Sequence, residues 1–321
     1  MKRRRWLRWL VILVTLVMAI SGVGLGFIWW WLPGSHVVDR DIELPTRFTA
    51  GLIYAEPVTI GGEKMSLLAD TGGGTFVTRR CAARCGMRAD LAFGGRSQLP
   101  AFRLEAWIPE PTGGEKWIPL TDGEGDGMLG QRWFAGGVWT FDYSAAKLIL
   151  RQRQFVPTDA MARHAVALGF RREFGVRTSN HPRFLVVIAG EPVESLLDTG
   201  ATVWPSPEAL HAMGDQAPGE QATSFVSADL FSQWRTAHPE WRVINEGCER
   251  SREALIEVPE VQVAGLRAGP VWFTRRGTAN YAWMSSFMDR PIAASIGGNI
   301  LMHFRVTVDY TTAVAYWEDG E

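Results

Sequence analysis

The chain has 321 residues, 33 of them Lys or Arg against 34 Asp or Glu, for a net charge of −1, so there is room for two ordinary domains and an appendage. Without a basic surplus the composition argues against a nucleic-acid partner. Three cysteines cannot all pair within one chain.

Residues 1–32 form the appendage. Lys2, Arg3, Arg4, Arg5 and Arg8 precede an uncharged, apolar run over residues 9–32, which as a helix would be roughly 36 Å long and could cross a bilayer. The run continues through Gly22, Gly24 and Gly26 into Trp29, Trp30 and Trp31, too long for a cleaved signal peptide. The expectation is a single-pass signal-anchor with the basic tip cytoplasmic, the lipid bilayer as a partner, and the body extracytoplasmic, periplasmic if bacterial. Without the tip's five basic residues the remainder holds 28 (33 less 5) against 34 acidic ones, which again disfavours nucleic acid.

Residues 33–43 are polar, open on Pro33-Gly34 and read as a spacer. An N-terminal lobe is placed over 44–156 and a C-terminal lobe over 157–321. In the first, Leu52–Tyr54, Val58–Ile60 and Met65–Ala69 read as strands, and Thr78 as the N-cap of a short helix that stops at Gly86. Cys81 and Cys85 lie four apart on that helix, poorly spaced for bridging. Phe102–Ile108 and Lys116–Leu120 then suggest a hairpin turning over Pro109–Gly114. In the second lobe Ala165–Phe170 and Phe184–Ile188 read as strands, Ser206 as an N-cap with Pro207 at the first helical position, and Gly214 as a stop. Ala228–Ala237 reads as an amphipathic helix, followed by a strand pair over 254–264 and 269–274. The short apolar runs indicate mostly β structure.

Asp70-Thr71-Gly72 recurs as Asp198-Thr199-Gly200, at an offset of 128 (198 less 70). The same offset places Gly190-Glu191 on Gly62-Glu63, Ser206 on Thr78 and Gly214 on Gly86. A second block, Met128-Leu129-Gly130 through Asp142-Tyr143, recurs as Ser295-Ile296-Gly297 through Asp309-Tyr310, at an offset of 167 (295 less 128). The C-terminal lobe therefore carries 39 (167 less 128) additional residues between its blocks.

Two such units in one chain resemble the pepsin and retropepsin family of aspartic peptidases, over roughly residues 45 to 318. The resemblance implies a mostly β, bilobal double-ψ acid protease fold, here with an N-terminal transmembrane helix, and a membrane-anchored aspartic endopeptidase. Two carboxylates about 3 Å apart share one proton and can take a proton from water while giving one to a carbonyl, so Asp70 and Asp198 are the expected catalytic pair. Gly72 and Gly200 bring backbone N–H groups to the carboxylates. Thr71 and Thr199 tie the loops across the lobe junction, and Gly130 and Gly297 let strands pass beside them. In the family a flap covers the bound peptide, which makes Trp107, Thr112, Gly113 and Trp117 flap candidates. The implied partner is a protein or peptide substrate and the unit is monomeric, with no cofactor and no metal.

Gly73 and Ala201 stand where pepsin-like chains carry a hydroxyl; losing its hydrogen bond raises the pair's pKa and moves activity toward weakly acidic or neutral pH. Ser295, polar opposite Met128, is the other departure. Gly125 to Gly130 matches a dinucleotide fingerprint, but as a strand inside the repeated block rather than a strand-to-helix turn. The rival reading is a catalytically silent peptidase-like domain that binds extended peptides or a partner protein.

Overall fold

The computed structural model describes residues 38–111, 116–214 and 217–320. The N-terminal lobe runs through β1 (Ile42–Glu43), β2 (Thr46–Thr49), β3 (Leu52–Ala55), β4 (Leu67–Ala69), β5 (Phe76–Thr78) and α1 (Arg79–Arg84). It continues with β6 (Leu120–Thr121), β7 (Gly127–Leu129), α2 (Gln131–Phe134), β8 (Val138–Asp142) and β9 (Lys147–Leu150). The C-terminal lobe opens with α3 (Asp159–Arg163), β10 (Ala165–Ala167), β11 (Arg172–Glu173), β12 (Val176–Arg177), β13 (Arg183–Ile188), β14 (Glu191–Leu197) and β15 (Thr202–Val203). Next come α4 (Pro207–Ala212), β16 (Gln221–Ala222), β17 (Ser224–Ser227), α5 (Ala228–Ala237), β18 (Val243–Ile244), β19 (Leu255–Val258), β20 (Val261–Val263) and β21 (Leu266–Ala268). It closes with β22 (Val271–Arg276), α6 (Thr278–Ser285), β23 (Ala294–Ile296), α7 (Gly298–Leu301), β24 (Phe304–Asp309) and β25 (Val314–Asp319).

Each lobe has its own sheet, ordered β2-β3-β4-β7-β5-β6 and β18-β19-β22-β17-β23-β14-β13-β20-β21. A third, β1-β9-β8-β24-β25-β10, takes three strands from each half. Strand sequence follows position: β13 buries Phe184, Val186 and Ile188 on one face, whereas all five residues of β8, flanked by β9 and β24, are buried. One apolar cluster runs through both lobes and includes Trp133, Phe134, Trp139, Phe141, Tyr310 and Trp317. Two of its indoles are satisfied: Trp139 Nε1 donates to the Phe134 carbonyl and Trp133 Nε1 to that of Pro109, both at 2.8 Å.

Both lobes are built around one arrangement. β4 pairs parallel to β7, which pairs antiparallel to β5; β14 pairs parallel to β23, which pairs antiparallel to β17. This corrects part of the repeat alignment. Phe76 faces Met128 and Phe225 faces Ser295, so Phe225 is the counterpart of Phe76 at an offset of 149 (225 less 76). Thr78, which caps α1, therefore corresponds to Ser227, which caps α5, and not to Ser206. Of the 39 additional residues, 21 (149 less 128) enter between the second tripeptide and β17, where α4 lies, and 18 (167 less 149) between β17 and β23. The misalignment arose because Ser206 is itself a true cap, its Oγ accepting from Ala209 N at 3.3 Å ahead of Pro207.

Two further expectations need correction. The segment 9–32 lies outside the described residues, and among the described residues no helix is long and apolar enough to cross a membrane. The ten-residue α5 would reach about 15 Å, half of a bilayer's ~30 Å core. The fold described is thus mostly β and bilobal without a transmembrane helix, and neither a single-pass topology nor a bilayer partner is supported.

The hairpin expected over 102–120 does not form among the described residues. Leu104–Ala106 makes a 3-10 turn, Phe102 bridges to Thr59, and Ile118 bridges to Ser97. Pro109 and Pro111 have no N–H for a ladder, and the Pro109 carbonyl is taken by Trp133. Trp107 ends the 3-10 turn and Trp117 stacks on Phe93 at 3.7 Å, while Thr112 and Gly113 lie outside the described residues.

Candidate functional site

The loops after β4 and β14 meet at the centre of the molecule. Thr71 N donates to Thr199 Oγ1 and Thr199 N to Thr71 Oγ1, each at 3.1 Å. Thr71 Oγ1 donates to the Leu197 carbonyl and Thr199 Oγ1 to the Ala69 carbonyl, each at 2.7 Å. Both threonines are fully buried, so every bond in this reciprocal set replaces water that is absent.

This grip brings Asp70 and Asp198, each 6 % exposed, side by side within hydrogen-bonding reach. Gly72 N donates to Asp70 Oδ1 at 2.8 Å. A Cβ on Gly72 would stand 2.5 Å from Asp198 Oδ1 and one on Gly200 2.1 Å from Asp70 Cγ, so each glycine makes room for the opposite lobe's carboxyl. Gly130 and Gly297 back the loops: their N–H groups donate to Thr75 Oγ1 at 3.0 Å and Ser224 Oγ at 2.9 Å. Added Cβ atoms there would meet Gly74 C at 2.3 Å and Thr223 O at 1.8 Å. Gly73 has a physical reason of its own: a Cβ would lie 2.3 Å from Asp70 Oδ2 and 2.6 Å from Met128 Sδ, so any larger side chain makes the carboxyl and the thioether shift. Ala201, by contrast, packs its methyl toward Gly297.

Burial, then the Asp198 charge, pushes Asp70 well above the usual carboxylate range. Burial also raises Asp198, but the bond from Asp70, the Arg276 charge and the neighbouring Ser295 hydroxyl work the other way. The two carboxyls titrate as one coupled pair that holds on to a proton above the ordinary carboxylate range. Ser295 is buried between Leu196 and Phe225 of the flanking strands. The repeat-related Tyr143 and Tyr310 sit beneath the site, and the phenol of each feels the opposite lobe's aspartate; burial raises both pKa values.

Two residues of the site carry no sequence signal. His181 bonds Ser179 Oγ through Nδ1 at 2.7 Å and reaches the Gly72 backbone; burial, then the Arg132 charge, lowers its pKa to about 4, so the ring is neutral at physiological pH. Arg276, at the end of β22, lies over the Phe225 ring at 3.6 Å. A histidine in the loop ahead of β13 and an arginine at the polar end of β22 look like ordinary surface residues until the fold brings them back.

Two cavities open beside the carboxyls. One, about 250 Å³, is walled by Gly72 to Gly74, Leu196, His181 and the apolar side chains of Trp283, Met284, Phe287 and Met288. The other, about 360 Å³, is walled by Thr202 to Trp204, Phe225 and a set of arginines. Among the described residues no group of three His, Cys, Asp or Glu is placed to hold a metal ion. Cys81, Cys85 and Cys248 are free thiols, the first two with sulfurs 3.9 Å apart.

No family model and no curated protein matches the chain. Among solved structures, it is similar to an aspartic proteinase from Irpex lacteus, at 10 % identity over 87 % of this chain and 97 % of that one, with a TM-score of 0.46. It is also similar to conglutin gamma, a basic 7S globulin from lupine seeds, at 11 % identity over 88 % and 95 %, with a TM-score of 0.44. A retropepsin-like aspartic protease from Rickettsia conorii matches 48 % of this chain and 89 % of its own, at 11 % identity and a TM-score of 0.29.

Likeness at this level carries no reaction over to the chain. That corrects the expected assignment as an active, membrane-anchored aspartic endopeptidase.

Proposed function

We propose that this chain is a catalytically silent, pepsin-like binding domain of two lobes, 44–156 and 157–321, that holds an extended peptide or an extended segment of a partner protein. The observation that carries the reading is the arrangement at the lobe junction. A buried pair of carboxyls is flanked by two cavities of different chemistry, one walled by the Gly72 to Gly74 loop that follows Asp70 and the other by Thr202 and by Arg276, whose charge acts on Asp198. An extended segment presents backbone N–H groups to Asp70 and Asp198 and side chains to alternate sides. Asp70 and Asp198 act here as acceptors and donors for the bound backbone, and Thr71, Gly72, Gly73, Gly130, Thr199, Gly200, Ala201 and Gly297 hold them in place. Gly73, which leaves Asp70 without a neighbouring side-chain hydroxyl at that position, favours binding over turnover.

The test is a displayed peptide library panned against the full chain, with captured peptides then incubated with it and weighed by mass spectrometry. Specific capture, weakened by Asp70→Asn with Asp198→Asn, and peptides recovered intact are the results expected. Cleavage of captured peptides that disappears in the double variant, or no capture at all, overturns the reading.

A further inference from the structure

The cavity beside Ala201 has an unbalanced charge. Arg250, Arg275, Arg276 and Glu253 line it. Glu253 is taken by Arg275, at 2.5 Å. Arg250 lies flat on Trp204, 3.7 Å from its centroid, and meets Glu124 only at 3.7 Å, where both side chains are more than half exposed and the pairing is weak. Among the described residues Arg276 has no ion pair; it rests on Phe225 and points Nη1 at Met284 Sδ, 3.9 Å away. Both guanidinium groups are thus held in place by aromatic faces, with N–H donors free and little rotamer freedom left to lose on binding. Thr202 and Asn280 add neutral polar groups to the same wall.

The neighbouring cavity has the opposite character. Trp283 is 64 % exposed and Phe287 37 %, their rings edge to face at 5.0 Å, which is a large apolar surface to leave in water. Met284 lines this cavity and touches Arg276 of the other, so the two receptors adjoin across one side chain. A single short segment can reach both.

Resting on the peptide-binding reading, we propose that the preferred ligand is an extended peptide bearing an acidic side chain and a large apolar one, the carboxylate seated between Arg250 and Arg276 and the apolar group against Trp283, Met284 and Phe287. Two fixed guanidinium groups make charge-assisted bonds to a carboxylate, and the excess of arginine repels a lysine or arginine at the same position. Asp198 opposes a second carboxylate on that side, which limits the pocket to one.

The experiment uses fluorescence anisotropy on the full chain with a labelled extended peptide containing one Glu and one Phe, and with versions carrying Gln or Lys for Glu and Ala for Phe. Expected are a loss of about tenfold or more for Gln, a larger one for Lys, and a steep fall with salt for the Glu peptide alone. Arg250→Gln erases the Glu-over-Gln preference while leaving the Gln peptide's affinity within about threefold, and Arg276→Gln erases the same preference; Trp283→Ala erases the preference for Phe. Circular dichroism confirms that each variant is folded, and Arg276→Lys, which keeps the charge, retains part of the preference. Equal binding of the Glu and Gln peptides, or a preference untouched by both arginine variants, overturns the inference while peptide binding stands. Failure of every peptide to bind overturns both.

Discussion

Thr140 and Thr307, repeat counterparts 167 apart, share a hydrogen bond of 2.8 Å at the point where β8 and β24 pair. Register and symmetry coincide there: the two halves of the chain meet at their own equivalent residue, and both hydroxyls are fully buried.

That bond gives a clean thermodynamic cycle. Replacing either threonine alone with valine strands one buried hydroxyl and costs about 1–3 kcal/mol, whereas replacing both leaves an apolar pair of the same shape and costs less than either single change. Urea unfolding of the three variants measures it; a double variant as damaged as the sum of the singles would contradict the pairing.

Gly73 faces both Asp70 and Met128 more closely than a Cβ allows. Gly73→Ser, which restores the hydroxyl of the resemblance, is expected to destabilise by about 1–3 kcal/mol, and adding Met128→Ala to return part of the loss. Denaturation midpoints decide the matter. An unperturbed Gly73→Ser protein would mean the loop yields more readily than the packing implies.

The carboxyl pair makes stability depend on pH. Folding raises the pKa of Asp70, so above its unfolded value the native state holds a proton that the unfolded chain releases, and stability falls as pH rises through the native pKa. Asp70→Asn removes this term: relative to the parent, the variant gains stability at neutral pH and loses that advantage toward pH 4. Parallel pH profiles for the two proteins would count against the shift.

His181 has the opposite sign. With its pKa lowered to about 4 the native ring refuses a proton that the unfolded chain accepts, so its contribution is present above the ordinary histidine range and lost as pH falls toward 4. A proton NMR titration is expected to show one imidazole that stays neutral well below its unfolded value, missing in His181→Gln. A resonance titrating near 6.5 would refute it.

How much of this could be read in the residues varies by element. The tripeptides, their glycines and the two blocks were legible because a repeat constrains many positions at once. Asp70 and Asp198 come together through Thr71 and Thr199, both inside that repeat. Beyond Val203 the repeat is not legible, because Ser206 and Ser227 both cap helices and a cap is recognised by its own chemistry, not by its partner strand. The segment from Phe102 to Leu120 alternates like a hairpin, yet prolines and the Trp133 indole claim its backbone. Arg276 and His181 were invisible for a different reason: what they touch, Phe225, Met284 and Gly72, is set by long-range packing that no local pattern encodes.

The sheet shared by the halves explains why they travel on one polypeptide. Cut apart near residue 156, the first half would present β8, all five residues buried in the intact protein, as a bare strand rim, and the second half β24 likewise. Such rims recruit any matching partner, including another copy of themselves. Covalent continuity keeps each rim supplied with its proper mate from the moment of synthesis and turns an adhesive hazard into the seam that joins the halves.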